Sequence, residues 1–229
     1  NGVLYVGSTR SESMIPGGHV LAVDAKTGEV LWHFNTIPQD ENDQGWDIAG
    51  PTWVGGGRNG GGIWETPSID PELGLVYAAV GNPFGDSTKR TGSNLFSDSI
   101  VALSLENGQL EWYYQQVHHD VWDYDNGQQP ILFDMEVDGE PIKALAQANK
   151  NSWLYILNRE TGEPVHPIIE TQCRPIPTEK AKFRIRRSPY RTRPTATAWN
   201  RYRRYFPPTS LTNTWPGRNW LPNTPHCRR

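Results

Sequence analysis

"AVDAKTGEVLW", residues 22–32, and "ALSLENGQLEW", residues 102–112, share a small residue, a polar turn closed by glycine and a final tryptophan. A third stretch, "ILNRETGEPV" at 156–165, begins the same way. In each, alternating apolar residues run into a turn whose glycine adopts positive φ freely, and a second run follows, so each reads as strand, tight turn, strand. The turn glycines Gly28, Gly108 and Gly162 lie 80 and 54 residues apart. That spacing is expected if each hairpin belongs to one four-stranded blade with connecting loops of unequal length. Further strands are expected at 75–80, "LVYAAV", and at 131–137, "ILFDMEV", and helical periodicity is absent. The fold class expected is all-β: a partial β-propeller of about three blades, followed by an irregular C-terminal tail.

Charge divides the 229-residue chain sharply. Residues 1–172 carry 8 Lys+Arg against 24 Asp+Glu, whereas residues 173–229 carry 14 against one, Glu179. The second stretch also holds 9 of the 19 prolines, and no window in it has strand or helix periodicity, so it is set apart from the propeller part at 1–172. No segment approaches the roughly 20 apolar residues of a membrane span, and the N-terminus does not read as a signal peptide. The chain opens inside what reads as a strand and without an initiator Met, as expected of a piece of a longer protein. Cys173 and Cys227 are too few for a disulfide scaffold and lack metal-ligand spacing, so they do not indicate a redox compartment.

The densest chemistry lies at 118–125, "HHDVWDYD", which gathers two histidines, three aspartates and two aromatics. An acidic solvated turn would account for the aspartates. Against that reading stand a second aromatic-bearing stretch, "GGGIWETPSIDPELGLVYAAVGN" at 60–82, and a lysine-bearing one, "ANKNSWLYILNRETG" at 148–162. The glycine-rich run before Trp64 is not a nucleotide-binding loop, because no helix follows it.

The A-x-D-x-x-T-G-x-x-x-W form at 22–32 resembles the tryptophan-docking motif of quinoprotein dehydrogenases, eight-bladed propellers that bind pyrroloquinoline quinone (PQQ), and "HHDVWDYD" resembles their catalytic segment. The resemblance covers residues 1 to about 170. It implies an enzyme that oxidises an alcohol or sugar hydroxyl, with Asp123 as the general base taking the hydroxyl proton and the cofactor carrying the redox chemistry. Trp64 matches the tryptophan on which the planar cofactor stacks. Lys150, 27 residues after Asp123, matches the cation that meets the quinone oxygens.

Asn82 and Glu12 match the family's metal-binding asparagine and glutamate, which supply hard oxygens of the kind calcium takes; the loop around Glu12 differs in length, and Ser11 or Ser13 competes for its place. Asp123 lies beside the same ion. Asp125 stands where lanthanide-using members carry a further acid. Sugar dehydrogenases of the family also have an acid there, and "VHHD" and "QQPILFD" look more like theirs, so calcium is the ion expected and a lanthanide the alternative.

The resemblance also implies a periplasmic full-length protein, a small-molecule alcohol or sugar substrate, and an electron acceptor such as a cytochrome or a membrane quinone. The basic tail departs from the family pattern. A nucleic-acid-binding arm has no role in a metal-quinone enzyme, so no nucleic acid partner is expected. A divergent extension is one account of 173–229. The favoured one is a shifted reading frame, since codons chosen for "TATAWNRYRRYFPPTS" at 195–210 read, one base over, as Gly-Tyr-Gly-Met-Glu-Pro-Val-Ser-Pro-Val-Phe, which resembles the family's Pro-rich continuation. The rival from another class is a noncatalytic propeller of quinone-type repeats acting as a protein-binding scaffold. Such a scaffold needs the turn and Trp pattern but has no use for Trp64, Asn82, Asp123 and Lys150 together.

Overall fold

The computed structural model describes residues 2–9, 17–87 and 89–169. The composition boundary at 172–173, both cysteines and Glu12 lie outside these residues. The described part is built of strands in stacked antiparallel sheets. The first sheet runs β1 (Val3–Ser8), β2 (His19–Asp24), β3 (Val30–Asn35). A long connection follows, containing α1 (Trp46–Ala49), one turn of 3-10 helix and the short β4 (Asn59–Gly60), which pairs with β7 (Pro83–Phe84). The second sheet has four strands in the order β5 (Ser68–Asp70), β6 (Leu75–Ala79), β8 (Ser99–Ser104), β9 (Leu110–Gln115). The third has β10 (Ile131–Val137), β11 (Glu140–Asn149) and β12 (Trp153–Asn158). These are consecutive blades of a partial β-propeller. The expected strands at 75–80 and 131–137 are β6 and β10. The short α1, with its N-cap Gly45 in the left-handed region, is the departure from a helix-free reading; four residues are too few to leave a periodic signal.

The middle sheet shows why some strands read as unbroken apolar runs. Along β6, Val76 and Ala78 face the core shared with the first sheet, while Tyr77 faces the core shared with the third. Along β8, Val101 and Leu103 face one side and Ile100 and Ala102 the other. Side chains alternate faces with a period of two, so a strand covered on both faces must be apolar at every position.

The repeated turns join the blades. Gly28, Gly108 and Gly162 each donate their amide to the carbonyl four residues earlier, at 2.8–2.9 Å, and each has φ between 72° and 77°. Trp32 lies over Gly108, where an added Cβ would stand 2.5 Å from its ring, and Trp112 lies over Gly162 at the same distance. Each tryptophan also donates its indole N–H to the next blade: Trp32 to the Leu105 carbonyl at 3.2 Å and Trp112 to the Arg159 carbonyl at 3.1 Å. Tyr5 and Tyr77 give their hydroxyls to those same two carbonyls, at 3.1 and 2.9 Å, and pack against the tryptophans with ring centroids 5.8 and 5.6 Å apart. Each inter-blade seam is therefore a Tyr–Trp pair converging on one carbonyl and a glycine that leaves room for the indole. Arg159 adds to the second seam, holding Asp70 of β5 at 2.6 Å and Asp134 of β10 at 2.8 Å.

Candidate active site

The strands deliver the residues of the site to one end of the blades. β6 runs out at Ala79, and the chain crosses at Gly81 and Asn82 before pairing again in β7. At Gly81 an added Cβ would stand 2.7 Å from Trp64 Nε1 and 2.8 Å from Asp125 Oδ1, so glycine is required for the backbone to pass between these two side chains. Trp64 stands 43 % exposed, which leaves aromatic surface open to a planar ligand.

The segment between β9 and β10 carries the acids. Asp125 is nearly buried; its Oδ1 accepts the Asn82 amide at 2.7 Å and its Oδ2 lies 2.5 Å from Lys150 Nζ. Asp123 reaches outward, 64 % exposed, with its Oδ2 at 3.0 Å from the same ammonium. Lys150 follows β11 and thus bridges both carboxylates. Burial works against the charge on Asp125, but the Lys150 ammonium and the Asn82 amide outweigh it and hold its pKa below the usual carboxylate value. Lys150 is desolvated as well, yet the two acids keep its pKa above that of an ordinary lysine. Asp123 has φ 69°. The surrounding cleft is open, about 360 Å³, and is lined by residues that include Asn82, Arg90, Asp120, Trp122 and Asp123.

Five of the six residues expected from sequence therefore meet at one place: Trp64, Asn82, Asp123, Asp125 and Lys150. The sixth, Glu12, lies outside the described residues. The fit to a cation and a planar cofactor rests on two observations. Asn82 Oδ1 is buried and accepts no hydrogen bond from another described residue, as suits a group awaiting a positive partner, and the half-exposed Trp64 stands against the neighbouring Gly81. Among the described residues no group of three or more His, Cys, Asp and Glu side chains could hold a metal ion; the oxygens nearest the ammonium of Lys150 are those of Asp123 and Asp125.

Three residues of the site go unassigned in sequence. Asp120 is buried and accepts the Trp122 and Tyr124 amides at 2.8 and 2.6 Å. Arg90 is buried and gives its guanidinium to the Asp120 carbonyl at 2.8 Å and to the Asn94 side chain. Asp98 lies wholly buried behind them. Asp120 sits inside the quoted octapeptide; nothing in spacing or composition marks Arg90 or Asp98.

Residues 2–217 match the family model of the PQQ glucose/ethanol/alcohol dehydrogenase β-propeller domain. Among curated proteins, quinohemoprotein alcohol dehydrogenase ADH-IIG of Pseudomonas putida is 40 % identical over 175 residues, which cover 71 % of this chain and 24 % of that one. The solved structure of ADHIIG from Pseudomonas putida HK5 superposes with a TM-score of 0.64 at 36 % identity, covering 75 % of this chain and 27 % of that one. A europium-containing methanol dehydrogenase gives the same TM-score at 28 % identity, with 75 % and 33 % covered. The chain thus spans about a quarter of the length of the curated relatives it matches.

Proposed function

Because the chain belongs to the PQQ-dependent glucose, ethanol and alcohol dehydrogenase family, we propose that it supplies the base, the lysine and one stacking wall of an alcohol-oxidising site. The observation that carries this reading is the meeting of Asp123, Asp125 and Lys150 beside Trp64 and Asn82. Asp123 is the acid whose carboxylate reaches the open cleft, and there it takes the hydroxyl proton of a small alcohol, or of a sugar as the alternative substrate. Lys150 holds Asp123 in an ion pair, and it places positive charge where negative charge develops. Trp64 stacks one face of the planar cofactor and excludes water from it. When bound, PQQ supplies the two-electron acceptor. Asn82 Oδ1, with Asp123 and Glu12, would hold a calcium ion; a lanthanide is the alternative, and Asp125 would then join the ligands.

Two features of the wider protein belong to the same proposal. Among the described residues no helix is long and apolar enough to cross a membrane, and a periplasmic setting is proposed from the family. The electron acceptor proposed is a haem, carried by the same protein or by a cytochrome, or else a membrane quinone.

The test is Asp123→Asn in a dehydrogenase that carries this segment, loaded with PQQ and assayed with an artificial electron acceptor. Turnover is expected to fall 10²-fold or more, as is typical when a general base is lost, while the quinone absorbance of the purified protein is kept. Near-normal turnover would remove Asp123 from the mechanism.

A further inference from the structure

Asp120 stands out because its buried carboxylate makes no ion pair among the described residues. A buried charge is costly unless hydrogen bonds satisfy it. Asp120 spends both oxygens on one short stretch of backbone: Oδ1 accepts the Trp122 amide at 2.8 Å and Oδ2 the Tyr124 amide at 2.6 Å. Those amides flank Asp123, whose backbone sits at φ 69°. This left-handed conformation is disfavoured for a side-chain-bearing residue and persists only where the surroundings impose it. Bonds from an amide to a carboxylate are the stronger, charge-assisted kind, and here they hold the Asp123–Tyr124 peptide directly after the strained residue and the Val121–Trp122 peptide one residue before it.

Asp120 is itself held. Arg90 donates to its carbonyl, and the neighbouring His119 is fastened through its amide to the Ser93 carbonyl and through Nδ1 to the Gly92 carbonyl. Beyond Tyr124 the loop is pinned again, its carbonyl accepting Asn149 Nδ2 at 2.8 Å. A rigid frame thus meets the loop at both ends, and the Asp120 carboxylate spans the gap between them.

We propose that Asp120 is a positioning residue: it sets the backbone conformation that aims Asp123 into the cleft, and without it Asp123 keeps its chemistry but loses its place. The proposal rests on Asp123 being the base. Misplacing a reacting group by about 1 Å costs on the order of 10²-fold in rate, which sets the scale of the effect.

The experiment uses the PQQ-loaded dehydrogenase carrying this segment, with Asp120→Asn, Asp120→Ala, Asp123→Asn and the Asp120→Asn/Asp123→Asn double variant. Asp120→Asn keeps one acceptor oxygen and is expected to lower kcat about tenfold, and Asp120→Ala about 10²-fold, both with KM and bound-quinone absorbance near wild type. Amide hydrogen exchange, which needs no turnover, is expected to quicken at Trp122 and Tyr124. In the Asp123→Asn background, Asp120→Asn should cost nothing further. Should Asp120→Ala fail to load the quinone, the near-isosteric Asn variant and its exchange rates decide the matter. Unchanged protection of the two amides, or a cost that adds fully to that of Asp123→Asn, overturns the positioning role while leaving Asp123 as base. Near-normal turnover of Asp123→Asn instead overturns the reading of the site on which the proposal rests.

Discussion

Asp98 lies one residue before β8 and is wholly buried. Burial, with like charge from Asp120 and Asp125 that Arg90 only partly offsets, pushes its pKa well above the ordinary carboxylate value. The folded state therefore holds a proton that the unfolded chain has released, and by linkage this group lowers stability as pH rises from the unfolded value of about 3.9 toward the raised one. Asp98→Asn removes that dependence. The variant is expected to melt above the wild type at about pH 8 and to approach it at about pH 5, in thermal scans of the PQQ-loaded dehydrogenase; parallel curves would show that Asp98 is not the source. Asn82 supports a second expectation. Its unpartnered buried oxygen is a hard donor suited to calcium, so chelation should abolish turnover and calcium should restore it better than lanthanum, measured as regained activity and bound metal. Restoration by lanthanum in place of calcium would make Asp125 a ligand of a trivalent ion. The residues that carry these arguments differ in how far sequence reveals them. Trp64, Asn82, Asp123, Asp125 and Lys150 are legible because each sits in a quotable motif at a fixed distance from another. Asp120 and Asp98 are not, since no periodicity tells which aspartate of an acidic loop turns inward to bind backbone and which turns outward to the cleft.

The seam between blades is where sequence is most informative, because one short motif encodes both halves of a contact. The glycine of one repeat and the tryptophan of the preceding one meet in space: Trp32 covers Gly108 and Trp112 covers Gly162. Gly28 has the same positive φ, but a Cβ there would meet nothing within 4 Å. Gly28→Ala and Gly108→Ala therefore share the backbone strain of about 1 kcal/mol, and only Gly108→Ala must also displace an indole from 2.5 Å. Overpacking of that kind costs a further 1–3 kcal/mol or so. Urea denaturation of the dehydrogenase carrying this segment should show Gly108→Ala as the more destabilised of the two by that margin; equal losses would mean that the indole yields freely. Two things at this scale escape the sequence. The pairing of β4 with β7 joins two-residue strands, too short for any alternation to show. The contacts of Arg159 with Asp70 and Asp134 bring together residues 89 and 25 positions apart, which no local pattern relates.

Across the three sheets, burial is uneven in a way that bears on how the chain behaves by itself. The central strands β6 and β8 of the middle sheet are covered on both faces, whereas the outer two sheets present apolar side chains to solvent: Leu4, Val6, Val30 and Leu31 on the first, Ile131 and Leu154 on the third, each at least 42 % exposed. Alternation explains the first case, since Tyr5 turns into the seam with Trp32 while its neighbours Leu4 and Val6 turn away. Exposed apolar side chains gathered on a sheet face, together with strand edges able to pair, favour association over a monomeric state. The site is affected by the same geometry, because Trp64 offers one wall and most of a planar ligand stacked on it would stay in water. The 229-residue chain, expressed by itself with calcium and PQQ supplied, is therefore expected to sediment as a concentration-dependent mixture of oligomers and to lose the quinone on gel filtration. Charged substitutions on the open faces, Val6→Lys together with Leu154→Glu, should shift the mixture toward monomer without restoring quinone retention, since they remove the sticky surfaces and add nothing to the site. A monodisperse wild-type monomer that melts cooperatively and keeps one quinone per chain would show that these three sheets suffice both to shield their own faces and to enclose the cofactor.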